Sequence, residues 1–298
     1  MARLGLVLGA LLAAGCVGGS AVPSGSKSAL TECVQLDGQR IDSIRWSDDG
    51  FDLAVATTDV ASDDGVIWML DSTLTDQSIV ARGPEVVSLA GVTNGSRGIS
   101  WVEMQDGVAA IESREADGHL SRSSIGSAVF SLREAGGEFF GLDPDRTVGA
   151  IVLIDDKGNL RPAFPLQGEV ESFDVSRDAR RFVYQVRSDA ADDGSFVLRT
   201  DNRASTIIPL GRLLINPTLG DDPMKVYYED HDAMAVKWID AGSGVVETVL
   251  AADASTIAVA RNQLAYTFVD PAQSGRLCVT TFGDRSATRK DAVPPWGA

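Results

Sequence analysis

The feature that most constrains this chain is a unit of about 42 residues that recurs through most of its length. Each copy holds an apolar strand-like run, a polar turn, a second apolar run, another turn, and a third run that often ends in Asp. The first copy runs Ile44-Arg-Trp46, turn Ser47-Asp-Asp-Gly50, Phe51 to Ala56, then Val66 to Asp71. The second holds Val86 to Leu89, Gly98 to Val102 and Val108 to Glu112, and the third Ala128 to Leu132, Glu138 to Leu142 and Ile151 to Asp155. The fourth is the clearest, with Ser172 to Ser176, turn Arg177-Asp-Ala-Arg180, Arg181 to Gln185 and Phe196 to Asp201. The fifth and sixth follow at Leu214 to Asp240 and Thr256 to Phe282.

Matching anchors at Trp46, Ala90, Ser131, Val175, Pro217 and Val259 are 44, 41, 44, 42 and 42 residues apart. Short β-rich runs with Gly, Asp and Asn turns, at a period of roughly 40–45 residues, are the signature of propeller blades. The expected fold is therefore all-β, a β-propeller of six four-stranded blades. Seven blades would need units of about 37 residues, which these anchors do not fit. Each blade buries its faces against two neighbours, so no unit is stable alone and the ring must close. The strand at Thr31 to Leu36 precedes the first unit and has no partner there. It is placed to complete the last blade as its outer strand, which would bring Cys33 beside Cys278. A Cys33–Cys278 disulfide would close a loop of about 245 residues, worth about 5 kcal/mol in the chain-entropy picture. The alternative is two unpaired buried thiols.

The turns Trp46-Ser-Asp-Asp-Gly50 and Val175-Ser-Arg-Asp-Ala-Arg180, with the strand-final Asp71, Asp155, Asp201 and Asp240, resemble the WD40-like repeats of TolB-like six-bladed propellers. In those repeats a Ser-x-Asp-Gly turn joins the first two strands of a blade. The resemblance covers most of residues 31–284, with two full copies of the turn. The small α/β domain that precedes the propeller in TolB has no counterpart in this sequence.

The N-terminus gives an address. Arg3 supplies a positive charge, Leu4 to Leu12 form an apolar run of nine residues, and Leu12-Ala-Ala-Gly-Cys16 closes it. A run this short is below the roughly 20 residues a membrane span needs, and reads as a secretory signal. With cysteine at its end it resembles the bacterial lipobox. That resemblance implies a signal peptide at 1–15 and diacylation of Cys16, which becomes the new N-terminus. The competing reading is ordinary cleavage near Ala14 or Ala21. Residues 16–30, rich in Gly and Ser, make a flexible tether reaching about 20 Å. The expected location is lipid-anchored, at the cell membrane or at the periplasmic face of an outer membrane.

Net charge is −16, and removal of residues 1–15 takes away only one further positive charge. So acidic a body is repelled by nucleic acid and by anionic headgroups. No catalytic constellation stands out. Gly-x-Ser-x-Gly is absent, and His119 and His231 lack metal-ligand spacing between them. Glu229-Asp-His-Asp232 and the acidic pairs Asp63-Asp64, Asp192-Asp193 and Asp221-Asp222 read as solvated turns, without the ladder of a Ca²⁺ loop. Trp46, Trp68, Trp101 and Trp238 fall at blade strand positions and are expected to pack between blades. Trp296 ends the Pro-rich stretch Asp291-Ala-Val-Pro-Pro-Trp296 within a C-terminal tail, 285–298. The sequence thus predicts no catalytic residue, no metal site and no cofactor. Its favoured reading is a membrane-tethered binding module that engages an envelope protein or a wall-associated ligand. The alternative is a propeller enzyme, lactonase- or glycosidase-like, using carboxylates at the central channel.

Overall fold

In a computed structural model, short apolar runs buried on both faces set the middle strands of each blade, and Asp, Gly and Asn set the turns between them. The structure describes residues 30–282, apart from 93–97, 116, 126–128, 144–149, 165–168, 188–194, 202–205 and 210–213. Cys16, the tether as far as Ala29, the Asp192-Asp193 loop, Ala128 and the tail with Trp296 lie outside the described residues, and Leu30, the last tether position, already belongs to the first strand.

The chain opens with β1 (Leu30–Gln35). Blade one follows as β2 (Gln39–Trp46), β3 (Asp52–Asp59), β4 (Gly65–Asp71) and β5 (Gln77–Gly83). Blade two is β6 (Val86–Val92), β7 (Ile99–Gln105), β8 (Val108–Arg114) and β9 (Leu120–Ile125). Blade three is β10 (Phe130–Ala135), β11 (Glu138–Leu142), β12 (Ile151–Ile154) and β13 (Leu160–Pro162). Blade four is β14 (Glu169–Val175), β15 (Arg181–Arg187), β16 (Ser195–Thr200) and β17 (Thr206–Pro209). Blade five is β18 (Leu214–Leu219), β19 (Lys225–Asp230), β20 (Ala235–Asp240) and β21 (Val246–Leu250). Blade six is β22 (Ala254–Ala260), β23 (Gln263–Phe268), a 3₁₀ turn at Pro271–Gln273, and β24 (Arg276–Thr281). No α-helix occurs among the described residues, so none is long and apolar enough to cross a membrane.

All six sheets are four-stranded and antiparallel, and the last has the order β1-β24-β23-β22. The N-terminal strand is therefore the outer strand of the final blade and closes the ring. Cys33 pairs with Cys278 in the register, and a disulfide joins them.

The core is six separate clusters, one at each blade junction. Between blades six and one, Ile44, Trp46 and Leu53 meet Ala258, Ala265 and Leu277. Between three and four, Phe140 and Phe164 meet Phe182 edge-on, with ring centroids 5.2 and 4.9 Å away. Trp101 joins the cluster between one and two, and Trp238 that between five and six. Trp46 also donates from Nε1 to the carbonyl of Ala258 across its junction, at 3.1 Å.

The last pairs of the first hairpins begin at Trp46, Val92, Ala135, Val175, Leu219 and Ala260. The sequence anchors Ala90, Ser131, Pro217 and Val259 thus sit one to four residues early. The cause is local: the hairpin turns differ in length, and every inner strand breaks register with its neighbour at a β-bulge. Two faces result. The proximal face carries the first hairpin turns, and with them both described chain ends, because Leu30 pairs with Thr281 and Thr281 with Gln263. The distal face carries the starts of the inner strands and the turns between second and third strands.

Candidate functional site: the channel and the distal face

The two full Ser-x-Asp turns have matching bonds. Ser47 Oγ donates to Asp49 Oδ1 at 2.7 Å and accepts from Asp52 N, while Ser176 Oγ donates to Asp178 Oδ1 at 2.6 Å and accepts from Arg181 N. Gly50 has φ +68° in the first, and Ala179 holds φ +56° at the same place in the second. The strand-final aspartates build turns as well. Asp71 accepts from the N–H groups of Thr75 and Asp76, Asp155 from Lys157 and Asn159, and Asp240 from Gly242 and Ser243. These bonds hold the Asp155 and Asp240 carboxyls below the usual carboxylate range. These aspartates are therefore turn architecture.

Six inner strands surround a channel, and its proximal half encloses a cavity of about 80 Å³ lined by residues from every blade. Its charged lining includes Arg45 of β2, Arg133 and Glu134 of β10 and Asp174 of β14. Arg133 Nε lies 3.4 Å from Asp174 Oδ1, and Asp174 Oδ2 also accepts from Leu219 N at 2.9 Å. Arg45 donates from Nη1 to the carbonyl of its own neighbour Ile44 at 2.7 Å, and its buried Nε meets no acceptor. Burial, then repulsion from Arg133, pushes the Arg45 pKa down to about 9, against a smaller pull from Asp174. Burial raises the Glu134 carboxyl, and its Oε2 has no hydrogen-bond partner. Gly91 permits this packing, since a Cβ there would stand 2.4 Å from Glu134 Cβ.

Arg177 spans the proximal mouth. It donates to the carbonyl of Asp48 in blade one, directly across the ring, and lies 3.2 Å from Asp221 Oδ1 in blade five. Asp221 in turn accepts from Arg261 N of blade six, and Arg261 sits over the Phe51 ring at 4.2 Å. Asp221 thus ties blades four, five and six together, while the Asp222 carboxylate pairs with Lys225 of its own blade.

On the distal face, Glu229-Asp-His-Asp232 is only partly a turn. Glu229 and Asp230 belong to β19, and Glu229 is 1% exposed. Its Oε2 accepts from Asn216 Nδ2 at 3.1 Å and lies 3.5 Å from His231 Nε2, while Oε1 is unpartnered. His231 Nδ1 sits 2.7 Å from Asp253 Oδ1, at the start of blade six. Burial pushes the Glu229 carboxyl up to about 8. No group of three or more such side chains among the described residues is arranged to hold a metal. His119 is exposed, with its N–H on Asp117. The distal face also exposes apolar side chains, among them Val60, Val87, Val108, Phe130, Met234 and Val269.

Sequence reasoning missed Arg45, Arg133 and Glu134. The available signal was their position: Arg45 and Asp174 each stand immediately before the apolar residue that leads a first hairpin, as Glu134 does in blade three.

No known sequence family matches the chain, and no curated protein does. Solved structures do share the architecture. TolB from Acinetobacter baumannii superposes with a TM-score of 0.55 at 12% identity, over 82% of this chain and 55% of that one. The chain thus spans little more than half the length of TolB. A catalytically inactive virginiamycin B lyase from Staphylococcus aureus gives 0.53 at 11%, over 85% of this chain and 99% of its own. An oligogalacturonate lyase in complex with manganese gives 0.55 at 10%, over 85% and 91%. At such identities the likeness is one of fold, and the fold is a six-bladed β-propeller. It hosts binding proteins and enzymes alike.

Proposed function

We propose that this chain is an exported lipoprotein, held through diacylated Cys16, whose propeller is a non-catalytic binding module of the bacterial cell envelope. The observation that carries this reading is the placement of the chain ends. Leu30, where the tether joins the fold, and Thr281 lie together at the proximal rim of blade six. A lipid at Cys16 would draw that rim toward the membrane and leave the distal face, with its exposed apolar side chains, turned to a partner. Singly exposed apolar residues are ordinary on protein surfaces, but several gathered on one face favour contact with another protein. The partner is an envelope protein, not a nucleic acid, given the net charge of −16.

The test is crosslinking in intact cells followed by capture of tagged wild type and Cys16→Ala, with a fatty-acid label followed in parallel. Label on wild type alone, with a partner lost from the mutant, is the expected result. Equal labelling of both would overturn the anchor. A labelled, folded protein that captures nothing specific would overturn the binding role.

A second reading, a propeller enzyme, is favoured by one arrangement: Asp253 orients His231 toward the buried Glu229. A base held by a carboxylate beside an acid of raised pKa suits proton transfer. The channel carboxylates suit it less, since Asp174 is already bound to Arg133 and Leu219 N. Turnover of a lactone or glycoside that is lost in His231→Ala would establish this reading over the first.

A further inference from the structure

We infer that the channel cavity is a binding site for a small oxyanion, a carboxylate or phosphate group, gripped by Arg45 with Arg133. Arg45, Arg133 and Arg177 line the cavity with Asp48, Glu134 and Asp174, yet the Nε of both Arg45 and Arg133 is buried without a hydrogen-bond acceptor. Asp174 lies 3.4 Å from Arg133 Nε and accepts from the N–H of Leu219. Arg45 donates from Nη1 to the carbonyl next to it in sequence and keeps its Nε free for an acceptor. A buried guanidinium N–H without an acceptor is costly, and a fork of N–H donors is the geometry that takes two oxygens at once.

The remaining lining agrees. Burial raises the Glu134 carboxyl, and its unpartnered Oε2 can serve as a donor when protonated. Thr218 brings a hydroxyl from blade five to the same cavity. A volume of about 80 Å³ has room for a group of a few water-sized atoms. Arg177, about a third exposed at the mouth, adds a third positive charge between the cavity and the proximal solvent. In a body of net charge −16, these inner-strand arginines come together where any anion has left solvent.

The experiment is titration calorimetry on the purified full chain with inorganic phosphate and with acetate, at pH 7 and fixed ionic strength, chloride serving as the reference. Expected is saturable binding of at least one oxyanion, weakened about tenfold or more in Arg45→Met, as loss of charged hydrogen bonds predicts. Preference for acetate would point to a carboxylate-bearing ligand, and preference for phosphate to a phosphorylated one. Circular dichroism verifies that Arg45→Met is folded. If it is not, Arg133→Lys, which keeps the charge and loses the fork, replaces it with the same expected weakening. Absence of saturable binding in wild type, or equal binding in the folded variant, would overturn the site. The site rests on the channel alone, and its failure would leave the tethered-module reading standing.

Discussion

Arg177 in blade four donates to the backbone carbonyl of Asp48 in blade one, so a single side chain crosses the proximal mouth of the ring. The same guanidinium pairs with Asp221 of blade five at 3.2 Å. The two first-hairpin turns that stood out in the sequence are the ones it joins. Both charges are substantially exposed, which limits the worth of the ion pair. Arg177→Ala should cost about 1 kcal/mol. Urea unfolding at low and high salt checks this, and the difference from wild type should shrink as salt rises.

The disulfide contributes far more. Cys33 and Cys278 are 245 residues apart in sequence and face each other in the closing sheet. The double substitution Cys33→Ser, Cys278→Ser should lower stability by about 2–5 kcal/mol. Urea midpoints of wild type with and without reductant should bracket that loss. An unchanged midpoint under full reduction would show that β1 closes the ring without it.

Glu229 makes stability depend on pH in a definite direction. Its pKa is about 8 in the fold against an ordinary 4.5, so the native state holds the extra proton between those values. Stability from this group is complete below about pH 4.5 and declines as pH rises toward 8. Glu229→Gln keeps the shape and removes the titration. Its melting temperature should match wild type at pH 5 and exceed it at pH 8, with a flatter profile between.

Two glycines should part company. A Cβ on Gly65 would stand 2.0 Å from the backbone carbonyl oxygen of Val86, which begins blade two, whereas one on Gly83 would meet nothing within 4 Å. Gly65→Ala should therefore destabilise by about 1–3 kcal/mol, and Gly83→Ala should stay within about 0.5 kcal/mol of wild type. Denaturant midpoints of the two variants are the measurement.

Much of the ring was legible because the second and third strands of its blades are buried on both faces and read as continuous apolar runs. Phe182 to Gln185 and Phe196 to Leu198 read as strands for that reason. The fourth strands did not read individually, since β5, β9 and β21 lie at the periphery with mostly half-buried or exposed residues. Blade closure followed from one orphan strand at Cys33. The candidate site was hidden for a different reason. Arg45, Arg133 and Asp174 are far apart in sequence, and on their own strands each looks like an ordinary polar position. Only ring geometry makes them neighbours. Glu229 was read with its flanking acids as a turn because local composition cannot tell the last buried residues of a strand from the first exposed ones.

The way the ring is sealed also decides how it would bear a pull. Any load arriving through the segment upstream of Leu30 enters at the first rung of β1 and works against the hydrogen bonds to β24 one pair at a time, as in opening a zip. Leu30, Thr31 and Glu32 can part from Thr281, Thr280 and Val279 in turn, but the next pair is Cys33 with Cys278, which is covalent. Peeling stops there, three rungs in, and the tension passes to the covalent backbone of β24, leaving the rest of the sheet edge paired.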